Sequence, residues 1–182
     1  MNRRGEIRVP VDRIIPFAKN NTFFLDDERN GNARMAITDT SGTVYFFYFD
    51  GTIEQKSFGT YSAGHHFLYE DISGDKQRDI IFLDGGVLRV FNQKGKELFT
   101  YKLDEPADFA PIFFDFGLTD RKIGLVENTT NLIYLINNDG SLYEDFPLRG
   151  TTPFSIGRLT ESSRFNLIVG NSDNFLFNYS VQ

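Results

Sequence analysis

The sequence predicts an all-β fold built from repeated four-stranded antiparallel sheets, and three observations predict it. Phenylalanine and tyrosine supply 20 and 8 of the 182 residues, and aromatic side chains favour the pleated, half-buried surfaces of sheets. No window places apolar residues at the i, i+3, i+4 and i+7 spacing of an amphipathic helix. A pattern of strand, turn, glycine and strand also recurs along the chain.

The repeat is marked by its hairpin turns. Gly51, Gly95 and Gly140 follow one another at intervals of about 44 residues, and each lies where a tight hairpin requires a positive φ. A short apolar strand precedes each hairpin, and an aromatic-rich strand precedes that one. The apolar strands are predicted at 33–38, 78–83, 121–126 and, in a fourth copy, 165–170. The aromatic-rich strands are predicted at 22–27, 66–71, 111–116 and 154–159.

Four-stranded antiparallel units at this period are typical of a β-propeller. One such blade buries only part of its apolar surface, so that blades must pack face to face, and this packing explains the excess of phenylalanine. The fourth copy lacks its outer strand, and residues 5–11 resemble the missing segment. We therefore expect the N-terminal strand to complete the last blade, within a single propeller domain over residues 1–182 that can belong to a longer chain.

Composition and charge narrow the classes of function. The chain has no cysteine, which excludes disulfides, thiolate nucleophiles and cysteine-ligated zinc. Its formal net charge of -6 argues against a nucleic-acid partner, and no apolar run approaches the ~18 residues of a membrane-inserted helix. The N-terminal residues lack the apolar core of a signal peptide. Two locations stay open: the cytoplasm, or an extracytoplasmic site if the chain was cut from a longer secreted precursor.

Two stretches carry a family resemblance. DISGDKQRDI (71–80) and DGSLYEDFPL (139–148) resemble the integrin-α-like propeller repeats of the FG-GAP and VCBS type. The stretch LIYLINNDGSL is similar, more loosely, to quinoprotein-like and YVTN propeller repeats. The resemblance covers essentially the whole chain as a statement about the fold, and its motifs specify architecture far better than activity.

The FG-GAP resemblance implies a candidate metal site. In that family the loop between the first two strands of a blade often binds calcium through acidic side chains. Asp71, Ser73, Asp75 and Asp79 match that pattern, with the carbonyl group of Gln77 between them. Calcium takes about six to eight oxygen ligands, and alternate residues of a tight loop can converge on one ion. Calcium is the cofactor that the resemblance raises, and no other cofactor is expected.

The same loop is also compatible with a structural turn that binds no metal. Lys76 occupies the position of a glycine in the family loop, and Arg78 adds a second positive charge close to the expected cation. The other copies depart from the acidic pattern. An Asx-type turn between two strands, in which carboxylates accept hydrogen bonds from nearby backbone N–H groups, is the favoured interpretation.

Candidate ligand-binding residues lie near the starts of the first strands of the copies. Connections held by rigid blades are where such scaffolds bind, and His65, Phe67, Pro111 and Phe154 occupy these positions. His66 follows His65, and adjacent histidines on a strand point to opposite faces, so that they rarely bind one metal. No nucleophile with a base and an orienting carboxylate is evident, and no catalytic residue is predicted.

The favoured function is therefore a non-enzymatic binding or scaffolding propeller that presents loops to a protein, peptide or glycan. The alternative is a hydrolase or lyase on a propeller scaffold, with carboxylates and a histidine converging at a central channel. A third interpretation makes the chain an accessory part of a larger protein. Both a monomer and a homodimer are compatible with the sequence, because four copies either close a small ring or leave pairing edges.

Overall fold

The computed structural model describes residues 23–26, 33–117, 119–159 and 164–181, and every regular element in these ranges is a β-strand. The described part of the chain therefore bears out the prediction that helices are nearly absent, and it holds no helix that could span a membrane. The residues group into two compact units, Met1–Tyr69 and Glu70–Gln182. The single domain expected over residues 1–182 stays a prediction.

The first unit contains one complete antiparallel sheet with the strand order β1-β2-β3-β4. Its strands are β1 (Phe24–Asp26), β2 (Arg34–Thr38), β3 (Val44–Tyr48) and β4 (Ile53–Lys56). Gly51 closes the hairpin between β3 and β4 with a φ of 97°, and its N–H group donates to the Tyr48 carbonyl at 3.1 Å. The positive φ that the sequence predicted at this glycine is confirmed.

The second sheet has the strand order β5-β6-β7-β8. Its strands are β5 (His66–Glu70), β6 (Asp79–Asp84), β7 (Val87–Phe91) and β8 (Glu97–Lys102). The boundary between the two compact units falls within β5, after Tyr69. Strand β6 is buried at all but its last residue, as its uninterrupted apolar run IIFL requires. Gly95 closes the hairpin between β7 and β8 with the predicted positive φ, of 87°.

The third and fourth sheets lie wholly in the second unit. The third has the order β12-β11-β10-β9, and its strands are β9 (Ile112–Asp115), β10 (Arg121–Glu127), β11 (Leu132–Asn137) and β12 (Leu148–Arg149). The fourth has the order β13-β14-β15, and its strands are β13 (Ser155–Gly157), β14 (Phe165–Gly170) and β15 (Leu176–Val181). The segment expected to complete this sheet, residues 5–11, lies outside the described residues.

The third and fourth sheets share one apolar core, as repeated sheets that pack face to face must. Its buried members come from both sheets and the segments between them: Val126, Ile133, Leu135, Phe146, Phe154, Leu167 and Val169. Phe154 stacks on Phe114 with ring centroids 5.4 Å apart. Gly124 makes room for this pair, because a Cβ at that position would lie 2.6 Å from Phe154 Cζ. Phenylalanine thus fills the space between sheets, as the composition predicted.

Candidate functional site

The four residues proposed as ligand contacts are buried. His65, Phe67 and Phe154 expose 0%, 5% and 4% of their surfaces, and Pro111 is buried as well. The sequence placed these residues at strand starts, where loops are usually exposed, but each side chain instead packs inward. Phe67, for example, meets Phe24 edge to face, with ring centroids 5.5 Å apart. These positions therefore contribute packing, and ligand binding by them stays a prediction.

The His65 ring is held by two hydrogen bonds within the first unit. Its Nδ1 lies 2.6 Å from the Ser62 carbonyl oxygen, which can only accept, so that Nδ1 carries the proton. Its Nε2 then accepts from the Thr38 hydroxyl at 3.0 Å. Burial lowers the pKa of the neighbouring His66. Neither of these two hydrogen bonds is made to a carboxylate of the kind that orients a catalytic histidine.

The acidic loop at 71–79 directs its carboxylates at its own backbone. Asp71 Oδ1 accepts from the Gly74 N–H at 2.7 Å, and its Oδ2 accepts from the Lys76 N–H at 2.9 Å. Asp79 Oδ2 accepts from the Ser73 N–H at 2.8 Å. Lys76 adopts a φ of 69°, the conformation that favours the glycine of the family loop. These are the contacts of Asx-type turns.

Positive charge also lies against this loop. Arg121 Nη2 is 3.4 Å from Asp71 Oδ2, and Arg78 Nη1 is 3.3 Å from Glu70 Oε2.

Asp79 is 1% exposed, and this burial raises its pKa to about 6. Within the described ranges no three acidic or histidine side chains are grouped as a metal site would require. The buried Ser73 hydroxyl oxygen has no hydrogen-bond partner among the residues that the structure describes. Calcium binding by this loop stays a prediction.

A polar groove of about 430 Å³ lies between the third and fourth sheets. We call it the Arg149 groove. It is built from the turn between β10 and β11, the end of β12 and the turn between β14 and β15. Its lining residues are Thr130, Asn131, Leu132, Arg149, Gly150, Asn171, Ser172, Asp173 and Phe177. None of these positions was singled out from the sequence.

Local hydrogen bonds hold the floor of the Arg149 groove. Asn131 adopts a φ of 58°, and its N–H group donates to the Asn128 carbonyl at 3.1 Å. The Gly150 N–H group donates to the Asn131 carbonyl at 3.0 Å. A Cβ at Gly150 would lie 2.5 Å from Val169 Cγ2, so that only glycine lets these two segments approach.

The opposite wall is held in the same way. Asn171 Oδ1 accepts from the N–H groups of Asp173 at 3.1 Å and Phe175 at 2.8 Å. The Tyr179 hydroxyl donates to the Arg149 carbonyl at 3.0 Å and joins β15 to the end of β12. Both walls are thus ordered before any ligand arrives, which lowers the entropic cost of binding.

The groove carries two opposite charges that do not neutralise each other. Arg149 and Asp173 both line it, yet they form no ion pair with each other. Across the described residues the Arg149 guanidinium makes no hydrogen bond or ion pair at all. Asp173 Oδ2 accepts only a long hydrogen bond, 3.5 Å, from the Asn171 amide within that same part of the chain.

A second surface lies on the outermost described strand of the fourth sheet. Leu176, the first residue of β15, exposes 78% of its surface, and the preceding Phe175 exposes 66%. The strand LFNYSV contains no charged residue, whereas the outermost strands β4 (IEQK) and β8 (ELFTYK) each carry a glutamate and a lysine. We call residues 175–181 the β15 surface. Large exposed apolar groups of this kind mark interaction sites more often than chance.

One signal in the sequence points to the Arg149 groove. The turns at 128–131 and 171–174 both follow the second strand of a copy; the first consists of asparagine and threonine, and the second of asparagine, serine and aspartate. Turns at equivalent positions of adjacent copies lie side by side in stacked repeats. The contribution of Arg149 could not be found in this way, because it follows from the path of the chain after Pro147.

Known structures similar to this chain are propellers. BBS1N, solved in complex with ARL6DN, is 9% identical with a TM-score of 0.55, over 92% of this chain and 55% of that one. A streptogramin B lyase is 17% identical with a TM-score of 0.51, over 92% of this chain and 56% of that one. An inactive virginiamycin B lyase from Staphylococcus aureus with quinupristin is 15% identical with a TM-score of 0.50, over 91% of this chain and 56% of that one.

The chain therefore spans a little over half the length of these similar structures. No family model matches the chain, and no curated protein matches it. Identities this low report on the fold and not on ligands or reactions. With four antiparallel sheets and propellers as structural neighbours, the chain has the β-propeller fold that its repeat predicted.

Proposed function

We propose that the chain is a non-enzymatic propeller scaffold that binds a protein partner at the β15 surface. The observation that carries this proposal is a six-residue strand without charges, the outermost that the structure describes in its sheet, in which Leu176 is exposed together with the preceding Phe175. The partner contributes an extended, uncharged segment that adds a strand to the sheet β13-β14-β15. The repeats are proposed to be of the FG-GAP or VCBS type, on the residues 71–80 and 139–148.

Strand addition follows from the chemistry of sheet edges. An outermost strand presents backbone N–H and C=O groups that an extended peptide can pair with, and proteins usually guard such strands with charges or proline. Glu54 and Lys56 guard β4, and Glu97 and Lys102 guard β8. Among the described residues strand β15 has no such guard, and the partner is proposed to take the edge position for which the sequence also predicts residues 5–11. The exposed Phe175 supplies a large apolar anchor of the kind that dominates interface energies.

The comparisons are compatible with binding and with catalysis. BBS1N was solved with a protein partner, whereas streptogramin B lyase and virginiamycin B lyase are enzymes. An enzymatic site would need a histidine and carboxylates that converge. In the described part of the chain His65 is instead buried between Thr38 and Ser62. The surface features favour the binding function.

A displayed library of random 12-residue peptides, selected on the immobilised chain, tests this function. We expect enrichment of uncharged peptides with alternating β-branched or aromatic residues. Asn178→Lys places a charge on the exposed side of β15 and should abolish their binding. Gln55→Lys is the matched control, because Gln55 is an exposed residue of β4, an outermost strand that is already charged. Equal binding by wild type and Asn178→Lys, or no enrichment, would refute the proposal.

Light scattering distinguishes a foreign partner from a second copy of the chain. A charge-free strand can also pair antiparallel with itself and form a symmetric dimer. We expect a monomer at micromolar concentration, with β15 amides that exchange rapidly with solvent and become protected when a selected peptide is added. A dimer that Asn178→Lys dissociates would show that the second copy is the occupant and would overturn the foreign partner.

A further inference from the structure

We propose that the Arg149 groove binds a saccharide that carries a carboxylate, such as a chain of uronic acids. The groove adjoins the β15 surface and shares Phe177 with it, but its polar side chains are not used by strand addition, and this inference does not depend on the proposed function. Its volume of about 430 Å³ is typical of ligand sites, which span roughly 300 to 1,000 Å³.

The carboxylate of the proposed ligand is inferred from the Arg149 guanidinium group, which has no ion pair among the described residues. A guanidinium group presents five N–H donors in a plane and binds carboxylates through two parallel hydrogen bonds. In the described residues the Arg149 guanidinium has neither an ion pair nor a hydrogen bond, although Asp173 lines the same groove. The hydrogen bond from Tyr179 fixes the Arg149 backbone at its carbonyl group and leaves the exposed side chain available.

The saccharide is inferred from the rest of the lining. Each sugar hydroxyl both donates and accepts, and it is matched by amides, hydroxyls and carboxylates placed close together. Asn131, Asn171, Ser172 and Asp173 supply those groups. The half-buried ring of Phe177 supplies an apolar surface against which the C–H face of a sugar can lie.

An acidic peptide fits this lining less well. A peptide main chain needs backbone donors and acceptors in a regular row, as a strand edge provides. The N–H groups of Gly150 and Asp173 at the groove already donate, to Asn131 O and Asn171 Oδ1 respectively. The polar groups that remain in the lining are side chains of several types: amides, hydroxyls, a carboxylate and a guanidinium. A mixed set of this kind suits a ligand with many hydroxyl groups better than a peptide main chain.

Isothermal titration of the full chain with trigalacturonate, maltotriose and triglutamate tests the inference. We expect trigalacturonate to bind more tightly than the neutral maltotriose and than triglutamate. Arg149→Gln should weaken trigalacturonate binding by about ten-fold or more, because a charge-assisted pair is lost. Ser172→Ala should weaken it by a few-fold.

Arg158→Gln is the matched control. Arg158 is also exposed, its guanidinium lies 5.0 Å from the Phe165 ring centroid, and it does not line the groove. It removes the same charge and should leave trigalacturonate binding unchanged. Thermal melts of both variants verify that each is folded. Absence of trigalacturonate binding by the wild type, tighter binding of triglutamate, or equal weakening by Arg149→Gln and Arg158→Gln would each overturn the inference.

Asn178→Lys separates this site from the strand-addition site. We expect this variant to bind trigalacturonate as the wild type does, because Asn178 does not line the groove. Loss of trigalacturonate binding in Asn178→Lys would show that both tests report on one surface, and would overturn a separate saccharide site.

Discussion

The Tyr69 hydroxyl donates a hydrogen bond to Asp26 Oδ2, at 3.0 Å, between residues 43 positions apart in the chain. Arg34 joins the pair, since its Nε lies 3.1 Å from Asp26 Oδ2 and its Nη2 lies 2.6 Å from the Tyr69 oxygen. The guanidinium also lies 4.4 Å from the centroid of the Phe46 ring. Burial raises the pKa of Tyr69, so that the phenol stays protonated and keeps donating.

Tyr69→Phe should therefore destabilise the first unit by about 1–3 kcal/mol, because the buried Asp26 and Arg34 each lose a partner. Urea unfolding followed by circular dichroism measures the free energy of unfolding. Tyr45→Phe is the control, since its hydroxyl makes a longer hydrogen bond, 3.4 Å, to Asp39 and should cause a smaller loss. Equal losses in the two variants would show that the Asp26–Arg34–Tyr69 cluster has no special contribution.

Two strand glycines should respond differently to alanine. At Gly124 a Cβ would lie 2.6 Å from Phe154 Cζ and 2.9 Å from Phe114 Cε2, whereas at Gly157 it would meet nothing within 4 Å. Gly124→Ala should lower the free energy of unfolding by about 1–3 kcal/mol through overpacking. Gly157→Ala should change it by less than about 0.5 kcal/mol. A neutral Gly124→Ala would contradict the close packing of the third and fourth sheets.

Asp79 should make stability depend on pH. Its pKa is raised from the ordinary 3.8 to about 6 by burial, so the folded state favours the protonated carboxyl group. The stabilisation from Asp79 is present in full below pH 3.8 and is lost as the pH rises through 6. Asp79→Asn removes the charge but keeps an oxygen that can accept from the Ser73 N–H group. Its stability relative to wild type should therefore rise by about 2 kcal/mol between pH 4 and pH 7.

Urea titrations at four pH values across that range measure this difference. Asp75→Asn is the comparison in the same loop, since Asp75 is exposed and its Oδ1 accepts from the Gln77 N–H at 2.7 Å; its charge contributes less than burial to the raised pKa of Asp79, so that a smaller pH-dependent change is expected. Groups that titrate elsewhere in the chain, His66 among them, affect all variants alike and cancel in the comparison. A difference between Asp79→Asn and wild type that stays constant with pH would refute the effect of burial.

Calcium should leave the melting temperature unchanged. The Asp71 oxygens already accept backbone hydrogen bonds, and the positively charged Arg121 lies beside them. Melting in excess CaCl₂ is compared with melting in chelator, at matched ionic strength and with MgCl₂ as the control ion. A site filled at ~100 times its dissociation constant would add about 2.7 kcal/mol of stability. A rise in melting temperature specific to calcium would establish the site that the family resemblance implies.

The repeat pattern predicted the strands well, because each rests on local chemistry. The expected strand at 165–170 coincides with β14 (Phe165–Gly170), and the one at 78–83 is displaced by a single residue from β6 (Asp79–Asp84). Turn glycines require a positive φ whatever surrounds them, and Gly140 shows one of 86°. The repeat period and the turn glycines therefore suffice to predict the order of the strands along the chain.

Sites depend on contacts between distant segments, and these were not predictable. The burial of His65 follows from hydrogen-bond acceptors and donors at Ser62 and Thr38, and no spacing rule joins Thr38 to His65. The Arg149 groove needs two turns about 40 residues apart to lie on either side of a third segment. A pattern along the chain identifies which residues are polar, but it does not reveal which of them keep a charge without a partner.

The turns at Gly95 and Gly140 look interchangeable along the chain and have nearly equal φ values, 87° and 86°. Their surroundings differ, because a Cβ at Gly140 would be 2.6 Å from Phe99 Cβ, while Gly95 has nothing within 4 Å. The Gly95 hairpin is thus a natural attachment point for a fluorophore or a grafted epitope. An insertion at Gly140 would instead wedge apart the second and third sheets, so labels intended to leave the scaffold intact belong on the earlier hairpin.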